Sequence, residues 1–281
     1  MSDTRWKLKV DQQGVTIAGD HFQLTTTVWP DGVPAGGTAD DVLLGMAESG
    51  RVESTLSELA AMTRRSYGQY CGLARAEEIL GERWVLLILR DLTVGPRTAA
   101  ELERGLPLIS PEVLAARLRD LERTHVVTSN PLPDGTPRYR LTDYGVELEA
   151  ILLRLGTWGA RLLGTQRPEE IVTTASQVVA LRSTFRPEQA RDLRATYEIR
   201  IGDDIRLHAR VDDGAVRVAA GTAARPDLVI EPGTWLKALM AGEIDPLAAV
   251  ADGRIRITGE PALLVRFAAM FRVPEPVTGA G

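Results

Sequence analysis

The side chains in this sequence best equipped to act on a partner are arginines. Across its 281 residues there is no Gly-x-Ser-x-Gly elbow, phosphate-binding glycine loop, His-Glu-x-x-His pair or dinucleotide fingerprint. His21, His125 and His208 lie far apart. The acidic doublets Glu77-Glu78, Glu169-Glu170 and Asp212-Asp213 fall at expected helix starts or turns and read as solvated surface. No catalytic centre, metal site or cofactor is expected. Recognition chemistry remains. Arginine supplies 30 of the 33 basic residues, and a guanidinium forks onto a phosphate or a base edge through two parallel hydrogen bonds. Arg97, Arg119, Arg138 and Arg140 are the candidates, and Cys71 offers a single thiol.

Residues 110–123 must position the central one. Ser110 is an N-cap type, and Pro111 suits the first helical position, where a missing N–H costs nothing. Leu114, Leu118 and Leu121 recur at i, i+4 and i+7, so one face is buried. With Leu114 turned inward, Ala115, Ala116 and Arg119 point away at about 100° per residue. Ser110, Pro111 and Glu112 occupy the N-terminal end, where backbone amides suit a phosphate. Arg119 is the expected base or backbone contact, and Arg117, nearer the core flank, is expected to pack or pair with a carboxylate. A shorter helix over residues 98–104 precedes this one, with Arg97 and Thr98 at its start. Downstream, the strand Val126-Val127-Thr128, the turn Pro133-Asp134-Gly135-Thr136 and the strand Arg138-Tyr139-Arg140-Leu141 predict a β-hairpin. Helix, turn, helix and hairpin is the order of a winged helix-turn-helix, which lays its second helix in the major groove of double-stranded DNA.

The flanking elements complete one unit over residues 62–163. Leu73, Ala76 and Leu80 mark a helix that opens near Cys71. A thiol at a helix start close to Arg64 and Arg65 can be activated, which makes Cys71 a redox-sensing candidate, although free cysteine is most often plain buried packing. Residues 84–92 are apolar on nearly every side and predict a central buried helix ended by Gly95-Pro96. Thr142-Asp143 caps a long helix over 142–163 bearing Leu148, Ile151, Leu152, Leu155, Trp158 and Leu162. That stripe outruns a small domain's core, and a homodimer seam shared with the Cys71 helix is its expected use.

Residues 1–61 form an extension of unclear structure. Residues 6–10 and 21–28 alternate like strands, residues 30–37 are a breaker cluster, and 40–46 and 52–62 are possible helices. Over residues 175–273 the pattern is period two: Tyr197, Ile199 and Ile201; Ile205, Leu207, Ala209 and Val211; Val216 and Val218. Turns at Asp203-Asp204 and Asp213-Gly214 predict antiparallel pairing, and residues 228–230 and 254–258 supply two more strands. Thr234 is the expected cap of a helix with Trp235, Leu236, Leu239 and Met240, and Pro261 opens a last helix with Leu263, Leu264, Phe267 and Phe271. Strand runs with segregated helices place the chain in the α+β class.

Net charge is −5 and unevenly spread. Residues 1–61 carry 4 basic against 9 acidic residues, residues 62–163 carry 14 against 13, and residues 164–281 carry 15 against 16. A nearly neutral DNA-binding segment predicts modest non-specific affinity, with specificity resting on local arginine placement. No apolar run approaches the roughly 18–20 residues that span a bilayer, and the start of the chain lacks a secretory pattern. A cytoplasmic protein without a membrane partner is expected.

Residues 71–142 resemble the HxlR-type winged helix regulators of bacteria. The resemblance rests on Cys71-Gly72-Leu73-Ala74-Arg75-Ala76, Gly81-Glu82-Arg83-Trp84-Val85-Leu86-Leu87-Ile88-Leu89-Arg90-Asp91-Leu92 and Gly95-Pro96-Arg97. It continues through Glu101-Leu102, Leu106-Pro107, Ile109-Ser110-Pro111, Leu114-Ala115-Ala116-Arg117-Leu118 and Tyr139-Arg140-Leu141-Thr142. Relatives often carry Arg-Phe where this chain has Thr98-Ala99. The resemblance implies a DNA-binding homodimer joined through terminal helices, and in some members electrophile sensing by a cysteine at the Cys71 position. The last part of the chain is similar to the sterol carrier protein family in Pro226-Asp227-Leu228-Val229-Ile230, Gly242-Glu243-Ile244-Asp245-Pro246 and Gly253-Arg254-Ile255-Arg256-Ile257-Thr258-Gly259-Glu260. That similarity implies a five-stranded sheet with helices over an apolar cavity for lipid-like molecules. Leu228, Ile230, Trp235, Leu239, Met240, Phe267 and Phe271 would line it. The expectation is a ligand-modulated regulator; the alternative is a lipid-binding carrier whose winged helix contacts protein.

Overall fold

The computed structural model describes residues 7–11, 14–19, 22–26 and 66–275, and the chain divides into the units Met1–Glu78 and Ile79–Gly281. In the first, strands β1 (Lys7–Asp11), β2 (Gly14–Gly19) and β3 (Phe22–Thr26) form an antiparallel meander in that order. Alternation marked β1 and β3. The middle strand, with Val15 and Ile17 between glycines, is too short a run to announce itself. The helices expected at 40–46 and 52–62 lie outside the described residues, as do Arg64 and Arg65. Helix α1 (Gly72–Leu80) spans the division between the units.

The second unit holds two cores. Around the first gather helices α2 (Val85–Val94), α3 (Ala99–Gly105) and α4 (Pro111–Arg123), with strands β4 (Arg97–Thr98), β5 (Val127–Pro131) and β6 (Pro137–Leu141) in the order β4-β6-β5. Ile88, Leu89, Leu102, Leu114, Leu118 and Leu121 are its fully buried centre. Each such side chain contributes about 1.5–3 kcal/mol by leaving water. Helix α2 departs from the all-round burial expected of it: Leu86 and Leu87 are exposed. The reason is position, because α2 packs its Val85, Ile88, Leu89 and Leu92 side into the core, and Leu86 and Leu87 lie on the side turned away from it. Gly95, at φ 150°, closes α2 through its amide to Leu92 O, in a backbone region that favours glycine.

The long helix expected over 142–163 is two helices, α5 (Asp143–Val146) and α6 (Glu149–Ala160). Thr142 caps only α5, accepting from the Gly145 amide, while its hydroxyl donates to His125 O. Gly145 lies so close to Val126 O that a Cβ would sit 2.1 Å from it. With α5 pinned there, the chain tightens, Leu148 N to Gly145 O, before α6 sets off.

The second core lies between helices and a five-stranded sheet of order β11-β10-β7-β8-β9. Its strands are β7 (Arg194–Ile201), β8 (Ile205–Asp212), β9 (Ala215–Ala220), β10 (Leu228–Glu231) and β11 (Arg256–Gly259). The sheet is mixed, not wholly antiparallel, because β10 pairs parallel to β7. After β9 the chain crosses back to the free edge of β7 instead of adding to its own edge. The buried Glu198 carboxylate fastens that crossing by accepting from the Ala223 amide at 2.8 Å. Helices α7 (Thr174–Thr184), α8 (Leu236–Ala241), α9 (Pro246–Ala251) and α10 (Pro261–Met270) complete the layer. Thr234 does not cap α8. Trp235 is the residue at its start, and no side chain caps it.

The two cores are fastened together by α7. Arg182 donates to Thr93 O at the end of α2 (3.0 Å), to Glu149 at the start of α6 (3.0 Å) and to Val218 O of β9 (2.7 and 3.2 Å). Thr157 of α6 donates to Ser183 O, and Lys237 of α8 to the carbonyls of Leu163 and Gly164. The intervening segment closes on itself, with Arg167 paired to Glu170.

Candidate nucleic-acid interface

Helix α4 is set by its ends. Ser110 accepts from the Val113 amide, with Pro111 in the first turn, as the sequence indicates. At the other end Thr124 is followed by His125 at φ 58°, with His125 N bonded to Glu122 O and Val126 N to Leu121 O. This is a Schellman turn with histidine in the usual glycine place. Leu114, Leu118 and Leu121 are buried, and Pro111, Glu112 and Arg119 are exposed, with Ala115 and Ala116 between. Arg119 makes no hydrogen bond or ion pair among the described residues. It stands near Tyr139 of β6, whose hydroxyl is pushed above its usual range by burial and by the Glu122 carboxylate, the Arg119 charge opposing them.

Arg117 takes the packing role. It pairs with Glu82 at 2.5 Å, donates to Arg83 O and lies 3.7 Å from Asp120. It thereby braces the loop before α2, where Trp84 holds φ 82° with the Arg83 guanidinium over its ring. A bulky residue in that backbone region is uncommon and needs such bracing.

Of the remaining candidates, Thr98 shares one face of the β4-β6 pair with Arg138, and Arg97 lies on the other face with Tyr139. Thr98 and Glu101 form a reciprocal cap on α3, so the Thr98 oxygen is occupied by the Glu101 amide. The Thr98 amide, donating to the Glu101 carboxylate at 2.8 Å, foremost holds Glu101 below its usual pKa, helped by the charges of Arg138 and Arg97. Arg138 donates to Pro96 O, and Arg140 is exposed. At the start of α4, Glu112 is held below the usual carboxylate range by its own amide and by Ser110. The amides expected to receive a phosphate there are thus partly used by the protein's own side chains. Arg90 and Asp91 went unread as a pair. Asp91 is buried against Gly105, and burial raises its pKa despite Arg90 at 2.7 Å. The local signal was a charged pair inside an otherwise apolar helix.

Residues 79–167 match the HxlR-like helix-turn-helix family model, and residues 177–272 match the SCP-2 sterol transfer family. The HTH-type transcriptional regulator YodB of Bacillus subtilis is 35% identical over 85 residues, which are 30% of this chain and 76% of that protein. The chain belongs to the HxlR-like helix-turn-helix family. A second match is YvaP of B. subtilis, described as an uncharacterized HTH-type transcriptional regulator, 40% identical over 86 residues, 30% of this chain and 80% of that one. The solved reduced form of YodB is 30% identical, covers 35% of this chain and all of its own, and has a TM-score of 0.31. In this HxlR-like chain the family residues set the helix-turn-helix and its hairpin, and the SCP-2 match coincides with the second core.

In that second core, Leu228, Ile230, Leu239, Met240, Phe267 and Phe271 are all buried and belong to one cluster with Tyr197. The rings of Phe267 and Phe271 are 4.7 Å apart. Trp235 stands elsewhere, partly exposed, with the Arg254 guanidinium 5.2 Å from its ring. Sequence reasoning did not single out Tyr197. Its hydroxyl is buried without a hydrogen-bond partner, and burial pushes its pKa up to about 12. Cys71 is exposed at the start of α1, and the amides of Ala74 and Leu73 lower its thiol pKa. Among the described residues no group of His, Cys, Asp or Glu is placed to hold a metal ion, and no helix is long and apolar enough to cross a membrane.

Proposed function

We propose that this chain is a one-component transcription regulator that binds operator DNA as a homodimer and responds to a hydrophobic small molecule. Residues 62–163 would form the DNA-binding part and residues 175–273 the ligand-binding part. The observation that carries DNA reading is α4, capped at Ser110, buried along Leu114, Leu118 and Leu121, and open along Arg119. The arginines Arg97, Arg138 and Arg140 lie on the adjoining β4 and β6 strands. Kinship with named regulators supports the same reading.

The dimer reading rests on α6. Leu152 faces the core, while Ile151, Leu155, Trp158 and the following Leu162 are 45–66% exposed at helical spacing. An apolar strip of this kind is stabilised by a self-complementary copy. Such a dimer calls for a two-fold operator with half-sites about one or two helical turns apart.

The ligand reading rests on the SCP-2 match and on Tyr197. An apolar molecule with one hydrogen-bonding group would give that hydroxyl the partner it lacks. It would have to part side chains now in mutual contact, and α7 would pass the change to α2 and α6. Ligand binding alters DNA affinity only if it favours one of two arrangements, typically by 5–150-fold. The exposed, acidified Cys71 supports a separate redox input.

The test is capture of genomic fragments by the purified full-length protein, followed by footprinting and by titration with a long-chain fatty acid. A dimer protecting a two-fold site is expected, with Leu155→Glu yielding a monomer of much weaker affinity. No enriched fragment, or a monomer at micromolar concentration that binds equally well, would reject the proposal.

A further inference from the structure

The face of the β7-β8-β9 meander turned away from its helices is dense in arginine. In register, Arg200 stands opposite Arg206, Glu198 opposite His208, Thr196 opposite Arg210 and Arg194 opposite Asp212; β9 extends the third row with Arg217 opposite Arg210. Like charges directly opposite one another destabilise an antiparallel pair. This face holds two such pairs, Arg200 with Arg206 and Arg210 with Arg217.

The neighbouring carboxylates are already engaged. Glu198 is buried and takes Arg200 at 2.6 Å, and Asp212 takes Arg194 at 2.9 Å. Arg206 donates to the carbonyls of Gly202 and Ile205, and its charge helps hold Glu198 below the usual carboxylate range. Arg210 and Arg217 are exposed, and neither has a hydrogen bond or ion pair among the described residues.

We infer that this face binds the phosphodiester backbone of DNA flanking the sequence read by α4, an inference that rests on DNA binding by the winged helix. The facing guanidiniums of Arg210 and Arg217 are suited to phosphate oxygens. The other outward residues of the three strands are Thr196, His208, Ala215 and Ala219, with no large apolar side chain to enter a bilayer. That favours a polyanion over a lipid surface. The β9 edge of the same sheet is tied to the winged helix. Val218, next to Arg217, shares the Arg182 guanidinium with Thr93, four residues before Arg97 is reached along the chain. Residues 62–163 carry only 14 basic residues against 13 acidic ones, so phosphate contacts outside that segment would add what it lacks.

The experiment titrates the full-length protein and an Arg210→Gln/Arg217→Gln variant over a range of salt. Two DNA fragments are used, one carrying the footprinted site with its flanks and one trimmed to the site. The variant's slope of log affinity against log salt on the long fragment should be shallower by about 2, near 0.9 per lost phosphate contact. On the trimmed fragment it should match the wild type. An unchanged slope on both fragments overturns the inference, and so does an equal loss on both. Loss of binding to phosphatidylglycerol vesicles with an unchanged DNA slope assigns the face to lipid and overturns it too. If the wild type binds neither fragment, operator binding itself fails, a result distinct from any change in the variant. Removing two facing like charges should leave the thermal midpoint equal or slightly higher, which separates these outcomes from misfolding.

Discussion

Arg182→Met would cut one tie between the two cores while keeping most of the side chain's apolar stem. The guanidinium is 21% exposed, and it bonds two main-chain carbonyls, Thr93 O at 3.0 Å and Val218 O at 2.7 Å, together with Glu149. A hydrogen bond from a charged group to a partly buried carbonyl is worth roughly 1.5–3 kcal/mol. Glu149 is 37% exposed, so water screens that pair and its share is about 0–1 kcal/mol. Water reaching the freed carbonyls returns part of the loss, leaving about 2–4 kcal/mol in all. For a chain of this size that is a fall of roughly 3–7 °C in thermal midpoint. Calorimetry or urea unfolding followed by tryptophan emission reads it, and Glu149→Gln serves as the control. A loss below about 0.5 kcal/mol, or equal losses for the two variants, would refute the view that the carbonyl bonds of Arg182 hold the cores together.

Ser110→Ala should cost about 0.5–2 kcal/mol, measured by urea unfolding, because the Val113 amide loses its acceptor. An unchanged midpoint would mean the cap is dispensable. Gly145→Ala should destabilise more, since the new Cβ would meet Val126 O at 2.1 Å and the backbone must shift. Wild-type stability there would show that α5 is not pinned as described. Glu198 is buried, which raises its pKa, yet the bonds from Arg200 and Ala223 outweigh that and hold it below its usual value. A depressed carboxylate contributes stability above the unfolded pKa and loses it as pH falls through the folded one. The advantage of wild type over Glu198→Gln should therefore be full near neutrality and shrink below about pH 4.5. An advantage independent of pH would contradict this.

The winged helix was legible because its signals are local. Ser110, Pro111 and the Leu114, Leu118 and Leu121 spacing specify α4 without reference to the rest of the chain, and the turn at 133–136 specifies the hairpin. The inward lean of Arg117 followed from the same helical geometry. What was not legible depends on contacts distant in sequence. The split between α5 and α6 is imposed by Gly145 against Val126, and the parallel pairing of β10 with β7 depends on where the chain recrosses the sheet. The sequence carries no signal for Arg182, because its partners Thr93, Glu149 and Val218 come from three separate segments. Tyr197 likewise read as ordinary core, since alternation reports which face a residue occupies and not whether its hydroxyl finds a partner.

The decisive measurement is a binding titration of wild type and Arg119→Ala on the footprinted operator and on a scrambled duplex of equal length. If α4 reads bases through its open face, the variant should lose about 1–3 kcal/mol, some 5–150-fold, on the operator and clearly less on the scrambled duplex. Equal loss on both would reduce Arg119 to phosphate positioning. Undiminished affinity for the operator would contradict the orientation of α4 on DNA, and with it the assignment of this surface as the one that reads sequence.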